Sequence, residues 1–177
     1  MTQPPLFLGR DIIQNAWVVT DLEAAMARWT RDFGVGPFFT FPHVQLQNLK
    51  YHGQPASLDM SVAIAQAGPV QVELIQQHCD NPTCYTDSIP RGGHGFHHVA
   101  VFAKDYDREL AYWRDKGFPV AAEGLAGTMR FAYIDTRPIT DCMIELIEDE
   151  PNIRAAFKII AGAARDWDGR DPVRPMG

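Results

Sequence analysis

The sequence predicts an α+β fold built from two tandem β-α-β-β(-β) units. Three observations carry that prediction. Asp21 and Asp105 each close an apolar, β-rich run and open a segment of helix formers. A tryptophan lies eight residues after each of them, Trp29 and Trp113. Each half then ends in an apolar strand interrupted by one acid, VQVELIQ with Glu73 and CMIELIE with Glu145. Self-similarity in a fixed order marks an internal repeat, and finding it changes how the whole chain is read.

Each element follows from local chemistry. DIIQNAWVV (11–19) is rich in apolar and β-forming residues and reads as a strand. Asp21 is a good helix N-cap, LEAAMARWTRDF favours helix, and Gly34 stops it. GVGPFF (34–39) is a turn feeding an extended stretch, and 42–56, with Pro42, Gly53 and Pro55, reads as irregular. LDMSVAIAQ (58–66) and VQVELIQ (70–76) flank a tight Ala-Gly-Pro turn and form a hairpin. The polar 77–94 segment reads as a linker. The pattern then restarts. GFHHVAVFAKD is a strand, YDRELAYWRDKGF a helix ending at Gly117, and MRFAYIDT (129–136) and CMIELIED (142–149) are strands. NIRAAFKIIAGAARDWDG reads as a C-terminal helix with Asn152 as its cap. The expected organisation is a single domain over 1–177. It holds an N-terminal module at 10–77, a linker at 78–94, a C-terminal module at 95–150, and a helix and tail at 151–177.

Composition narrows the function. A chain of 177 residues, 46% hydrophobic and 21% charged, can bury a real core without staples. The net charge of −6 points away from nucleic-acid and membrane-surface partners. No apolar run approaches the length of a membrane span, and MTQPPLFLGR does not read as a signal peptide. Three cysteines, Cys79, Cys84 and Cys142, are sparse and odd in number, which fits a reducing, cytoplasmic setting. CDNPTC, with no second pair, reads as two loop thiols rather than a zinc site.

Counting seven residues back from Asp21 and Asp105 gives Gln14 and His98. With Glu73 and Glu145 they occupy equivalent places in the two halves, and all four interrupt otherwise apolar strands. An ionised carboxylate in a buried strand is costly unless paired or bound to a cation. Two carboxylates, an imidazole and an amide oxygen suit one divalent ion: Zn²⁺, Ni²⁺, Co²⁺, Mn²⁺ or Fe²⁺. Taken singly, each of the four has a structural reading; their equivalence favours a site. Strand neighbours point to opposite faces, so at most one of His97 and His98 is expected to face the interior. His97 is the ligand if the register slips by one. Asp21 and Asp105 read as caps, and Trp17, Trp29, Trp113, Phe38, Phe39 and Phe41 as core or wall. Phe131 and Tyr133 share one strand face that lines either core or an apolar pocket. Arg91, Arg130 and Arg137 are candidates for a substrate anion, against a plain reading as surface charge.

The stretches QNAWVVTDLEAAMARW with GVGPF, VQVELIQ, GFHHVAVFAKD and CMIELIE resemble the vicinal oxygen chelate superfamily, the glyoxalase/bleomycin-resistance/dioxygenase group, over roughly residues 10–150. They look most like its glyoxalase-like branch, which includes methylmalonyl-CoA epimerase. The resemblance implies paired βαβββ modules forming a cupped mixed/antiparallel sheet, helices outside and a metal in the cup. It places the metal ligands on Gln14, Glu73, His98 and Glu145. Many members have histidine at the first position; Gln14 departs from that, as in some glyoxalase I enzymes. The departure counts against the two-histidine, one-glutamate iron site of extradiol dioxygenases.

The implied activity is that of a metal-dependent isomerase, epimerase or lyase. It would act on a small oxygenated substrate through an enolate, with Glu145 moving the proton. An epimerase also needs a second base. In similar epimerases this is a glutamate just before the strand preceding the Glu73-type strand; the matching position here falls near Ser57, and Asp59, two residues on, is the substitute. That departure counts against methylmalonyl-CoA itself, and no basic glutathione pocket is visible. The alternatives are an extradiol-type dioxygenase and a non-catalytic binding or resistance protein. Two modules in one chain imply an intrachain cup and admit a homodimer.

Overall fold

The computed structural model describes residues 10–176. The N-terminal MTQPPLFLG, part of the stretch weighed above as a signal peptide, lies outside the described residues. In chain order the elements are β1 (Gln14–Val18), α1 (Leu22–Phe33), β2 (Phe38–Phe41), β3 (Leu46–Tyr51), β4 (Gln54–Pro55), β5 (Met60–Ala67), β6 (Val70–Gln77), α2 (Cys84–Ser88) and β7 (Gly95–Ala103). Then follow α3 (Tyr106–Asp115), β8 (Val120–Ala126), β9 (Met129–Ile134), α4 (Arg137–Thr140), β10 (Met143–Glu148), α5 (Pro151–Ala164) and β11 (Val173–Pro175).

All the strands join one mixed sheet in the order β11-β2-β5-β6-β1-β7-β10-β9-β8-β3-β4. Its core has the same connectivity twice. β1 runs parallel to β6, which pairs antiparallel with β5, which pairs antiparallel with β2. β7 runs parallel to β10, which pairs antiparallel with β9, which pairs antiparallel with β8. The two sets meet where β1 lies antiparallel to β7.

The helices start and stop where their end residues dictate. The Asp21 carboxylate accepts from the Ala24 amide at 2.9 Å, and Asp105 accepts from the Arg108 amide at 3.2 Å. Each satisfies an amide that the helix itself cannot, a contribution of about 1 kcal/mol. Gly34 ends α1 at φ +68, a left-handed conformation that costs glycine little. Leu22 and Met26 of α1 pack on Ala63, Ala65, Val72 and Leu74. Tyr106, Leu110 and Trp113 of α3 pack on Val101, Ile144 and Leu146. Both helices therefore cover one face of the sheet. α5 covers the opposite face, where Ile153 and Phe157 pack against Ala100, Phe102 and Ile147. No helix among the described residues is long and apolar enough to cross a membrane.

Several segments depart from the sequence expectation. The 42–56 stretch is not irregular throughout: β3 and β4 form a small hairpin whose β3 pairs with the edge strand β8 of the other half. Asn48, at positive φ within β3, sits where the β3–β8 register shifts between Gln47 and Lys50, which breaks the alternation that would have betrayed the strand. The linker holds α2, closed by a reciprocal Thr83–Thr86 capping box, with Cys84 and Tyr85 buried beneath it. α5 begins at Pro151, and Asn152 is no cap; its side-chain amide donates to Thr128 Oγ1 at 2.7 Å. After α5 the chain returns to add β11 beside β2.

Candidate metal centre

Register alone brings the four singled-out residues to one face. Ala16 of β1 stands opposite both Glu73 and His98, and Gln14 opposite Ala100, which also pairs with Glu145. Paired residues share a face, so Gln14, Glu73, His98 and Glu145 project to the side that α5 covers. All four are buried, His98 completely. One donor atom from each of Glu73, His98 and Glu145 falls within 4.8 Å of the other two.

The polar atoms at this point are poorly satisfied by the protein itself. His98 Nε2 lies 3.3 Å from Glu73 Oε2 and 3.3 Å from Glu145 Oε2. That is close enough for charge attraction, but the atoms are off-line for hydrogen bonds, so His98 Nε2 and Glu73 Oε2 have no hydrogen-bond partner. Such groups in a native fold call for an explanation. Burial pushes the Glu73 carboxyl above the usual carboxylate range, with His98 opposing it. Burial disfavours the His98 imidazolium, but the carboxylates of Glu145 and Glu73 outweigh it and raise His98 to about 9. A divalent cation satisfies this set: it neutralises two buried carboxylates and takes the lone pair of a neutral imidazole. The donor types fit the borderline metals expected from sequence. Gln14 Nε2 donates to Gln71 Oε1 at 3.2 Å, which leaves Gln14 Oε1 available as a fourth ligand.

His97 lies outside this cluster, but its hydrogen bonds determine which nitrogen of His98 bears a lone pair toward the glutamates. Its Nε2 lies 3.1 Å from the Cys84 carbonyl, an acceptor only, so Nε2 carries the proton. Burial and the neighbouring His98 hold the His97 pKa down to about 3, so the ring is neutral and its Nδ1 is a bare acceptor. That Nδ1 faces His98 Nδ1 at 2.9 Å. His98 must therefore donate from Nδ1. When neutral it presents its lone pair at Nε2, toward the two glutamates. A ligand histidine held by a hydrogen bond on its far nitrogen is the usual support of a metal site.

The expectation that only one of the two histidines faces inward is corrected here. The β1–β7 register skips between Ala16–His98 and Trp17–Phe96, leaving His97 unpaired in a bulge. Both imidazoles consequently contact the Tyr133 ring, at centroid distances of 5.5 and 4.9 Å.

Gln14, Glu73 and Glu145 open onto a cavity of about 670 Å³. Its walls are apolar, with Met60, Val62 and Ile64 on one side and Phe131, Tyr133 and Ile147 on the other. Ile153, Phe157 and Ile160 of α5 form its roof. Among the described residues Tyr85 and Tyr133 add its only phenols, their hydroxyls 3.3 Å apart. Burial keeps both far above the ordinary tyrosine pKa, so they remain hydrogen-bond donors. No lysine or arginine lines the cavity among the described residues.

Other sequence candidates lie elsewhere. Asp59 does not line the cavity; its exposed carboxylate bonds His43 Nδ1 at 2.7 Å. Arg91 is paired with Asp80, Arg130 with Asp107 and Glu148, and Arg137 with Asp135 and the Asp87 carbonyl. Sequence reasoning missed the supporting role of His97 and the Tyr85 phenol. Tyr85, inside a polar linker, carried no signal.

A repeated βαβ-ββ sheet folded around a carboxylate–imidazole cluster defines a class of paired-module cup proteins. A family model described as Glyoxalase/Bleomycin resistance protein/Dioxygenase superfamily matches residues 13–133, so the chain belongs to this vicinal oxygen chelate superfamily. No curated protein matches the sequence. Among solved structures, a hypothetical protein from Bacillus halodurans is similar, with a TM-score of 0.58 and 15% identity over 81% of this chain and 96% of that one. Methylmalonyl-CoA epimerase from Mycobacterium tuberculosis aligns with a TM-score of 0.52 and 18% identity over 88% of this chain and 97% of its own. The Streptomyces coelicolor methylmalonyl-CoA epimerase gives 0.53 and 16% over 80% and 95%. At these identities the likeness carries the fold.

Proposed function

We propose that this protein is a metal-dependent isomerase, epimerase or lyase that moves a proton beside a carbonyl of a small oxygenated substrate with an apolar body. One observation carries the reading. Three buried donor atoms, two of them without hydrogen-bond partners, converge at the polar floor of an apolar cavity. Gln14, Glu73, His98 and Glu145 would hold the ion. When bound, a divalent ion there supplies Lewis-acid stabilisation of negative charge developing on substrate oxygen.

The remaining work falls to the chain's own groups. Glu145 faces the cavity and is the carboxylate positioned to take and return a proton at the substrate carbon. The phenols of Tyr85 and Tyr133 are donors that stay protonated at neutral pH. The aliphatic walls and the roof exclude water, which strengthens each charge interaction inside. A cavity of this size suits a drug-sized molecule. Its lack of lysine and arginine speaks against a phosphate- or carboxylate-bearing body within the cup, and so against both a coenzyme A thioester and a glutathione adduct there. Two of the similar structures are epimerases, the type of proton-moving enzyme this reading names.

The test has two parts. Elemental analysis is expected to find about one divalent ion per chain fewer in Glu73→Ala and in His98→Ala than in the wild type. Exchange at the α-carbon of neutral aryl 2-hydroxyketones is then followed by NMR in deuterated water. Exchange is expected with wild type and abolished in Glu145→Gln; unchanged exchange in that variant would sink Glu145 as the base. Oxygen consumption with a catechol would instead favour the dioxygenase reading.

A further inference from the structure

A second group of metal-compatible side chains stands outside the cup. His43, Asp59 and His78 each offer a ligand atom, and these atoms lie within 4.8 Å of one another. They come from three chain segments: the turn after β2, the residue before β5 and the residue after β6. His43 Nδ1 bonds Asp59 Oδ1 at 2.7 Å, and the two imidazoles stack with centroids 4.8 Å apart. The His78 amide donates to the Asp59 carbonyl at 2.8 Å, fixing the two segments side by side.

One buried hydroxyl organises the group from behind. Ser61 Oγ accepts the His43 backbone amide at 3.1 Å and bonds His78 Nε2 at 2.7 Å. Ser61 Oγ can accept the Nε2 proton of His78, and in that tautomer His78 offers its Nδ1 lone pair to an ion. This is the same far-nitrogen support that His97 gives His98.

We propose that His43, Asp59 and His78 form a second divalent-cation site at the mouth of the cavity, suited to Zn²⁺, Co²⁺ or Ni²⁺. Two imidazoles and one carboxylate are a sufficient protein ligand set for these ions and leave a coordination position for water. His43 itself lines the cavity, as do Phe41, Pro42 and Val44 beside it. An ion at this point would tie that wall to the open end of the β5–β6 hairpin and set the shape of the entrance.

The test uses tag-free, chelator-stripped protein equilibrated with Co²⁺ and then desalted. Cobalt per chain is measured by elemental analysis, and far-UV circular dichroism checks the fold. Two ions per chain are expected in wild type. One is expected in His43→Ala, in His78→Ala, and in the isosteric double variant Glu73→Gln/Glu145→Gln. Wild-type cobalt content in the first two variants overturns the proposal. If wild type holds a single ion, its loss in His78→Ala but not in the double variant supports this site and defeats the cup. The opposite pattern keeps the cup and overturns this site, and no bound cobalt at all overturns both.

Discussion

Replacing His97 with alanine probes the arrangement most sharply, because His97 is expected to touch no ion and yet to govern binding of one. His98 is completely buried, and its Nδ1 has His97 Nδ1, at 2.9 Å, as its partner. Removing that acceptor leaves a buried donor unpaired, at a cost of about 1–3 kcal/mol. When the ring gives up one proton to bind an ion, it can escape that cost by keeping the other on Nε2 instead of Nδ1, where it points at Glu73 and Glu145 and blocks the lone pair the ion needs. The structure therefore predicts that Zn²⁺ affinity falls about 10–100-fold in His97→Ala, the usual effect of losing a ligand's hydrogen-bond support. At 1.4 kcal/mol per tenfold, that range agrees with the cost of the lost bond. The assay is competition against a chromophoric chelator at fixed pH, with His98→Ala as the reference for a missing ligand. Unchanged affinity in His97→Ala would refute the tautomer argument. Complete loss in His97→Ala with retention in His98→Ala would show that the ligand is the other histidine.

Two further outcomes follow from the same geometry. Without an ion, burial disfavours the charged ring but the carboxylates of Glu145 and Glu73 raise His98 to about 9, which favours its protonated form at neutral pH. Ion binding at pH 7 must then displace about one proton, and apparent affinity should tighten about tenfold per pH unit until pH passes about 9. Calorimetry in buffers of differing ionisation enthalpy reads this directly; a buffer-independent enthalpy would contradict it. Ile160, a roof residue 1% exposed, should cost about 2 kcal/mol when cut to alanine, near the low end for such deletions because the site adjoins an existing cavity. That corresponds to a Tm lowered by about 4–8 °C; a shift under about 1 °C would mean that α5 does not pack as described.

The fold was legible where one residue type forces one local outcome. Asp21, Asp105 and Gly34 mark helix ends by hydrogen bonding and backbone freedom, which need no tertiary context. The Ala67-Gly68-Pro69 turn announced the β5–β6 hairpin for the same reason, Gly68 taking φ +61 in a two-residue loop. The candidate ligands were legible because a charge inside an apolar strand needs a reason, and the repeat supplied the pairing. Asp59 showed the limit of that logic: correct alternation along a strand does not place a residue in the cup if the strand begins only after it. Tertiary partnership hid the rest. β3 and β11 are too short or too polar to read as strands until β8 and β2 offer them a ladder. His97 could not be assigned from alternation because a bulge is a property of two strands together.

The proposed chemistry stands on one divalent ion held by Glu73, His98 and Glu145, with Gln14, at the floor of the cavity. The most direct measurement is diffraction from crystals equilibrated with Zn²⁺, recorded on both sides of the zinc absorption edge. An anomalous peak is expected in contact with Glu73, His98 Nε2 and Glu145, with His97 donating to the Cys84 carbonyl behind it. Zinc bound elsewhere in the crystal with no peak among these residues would contradict it.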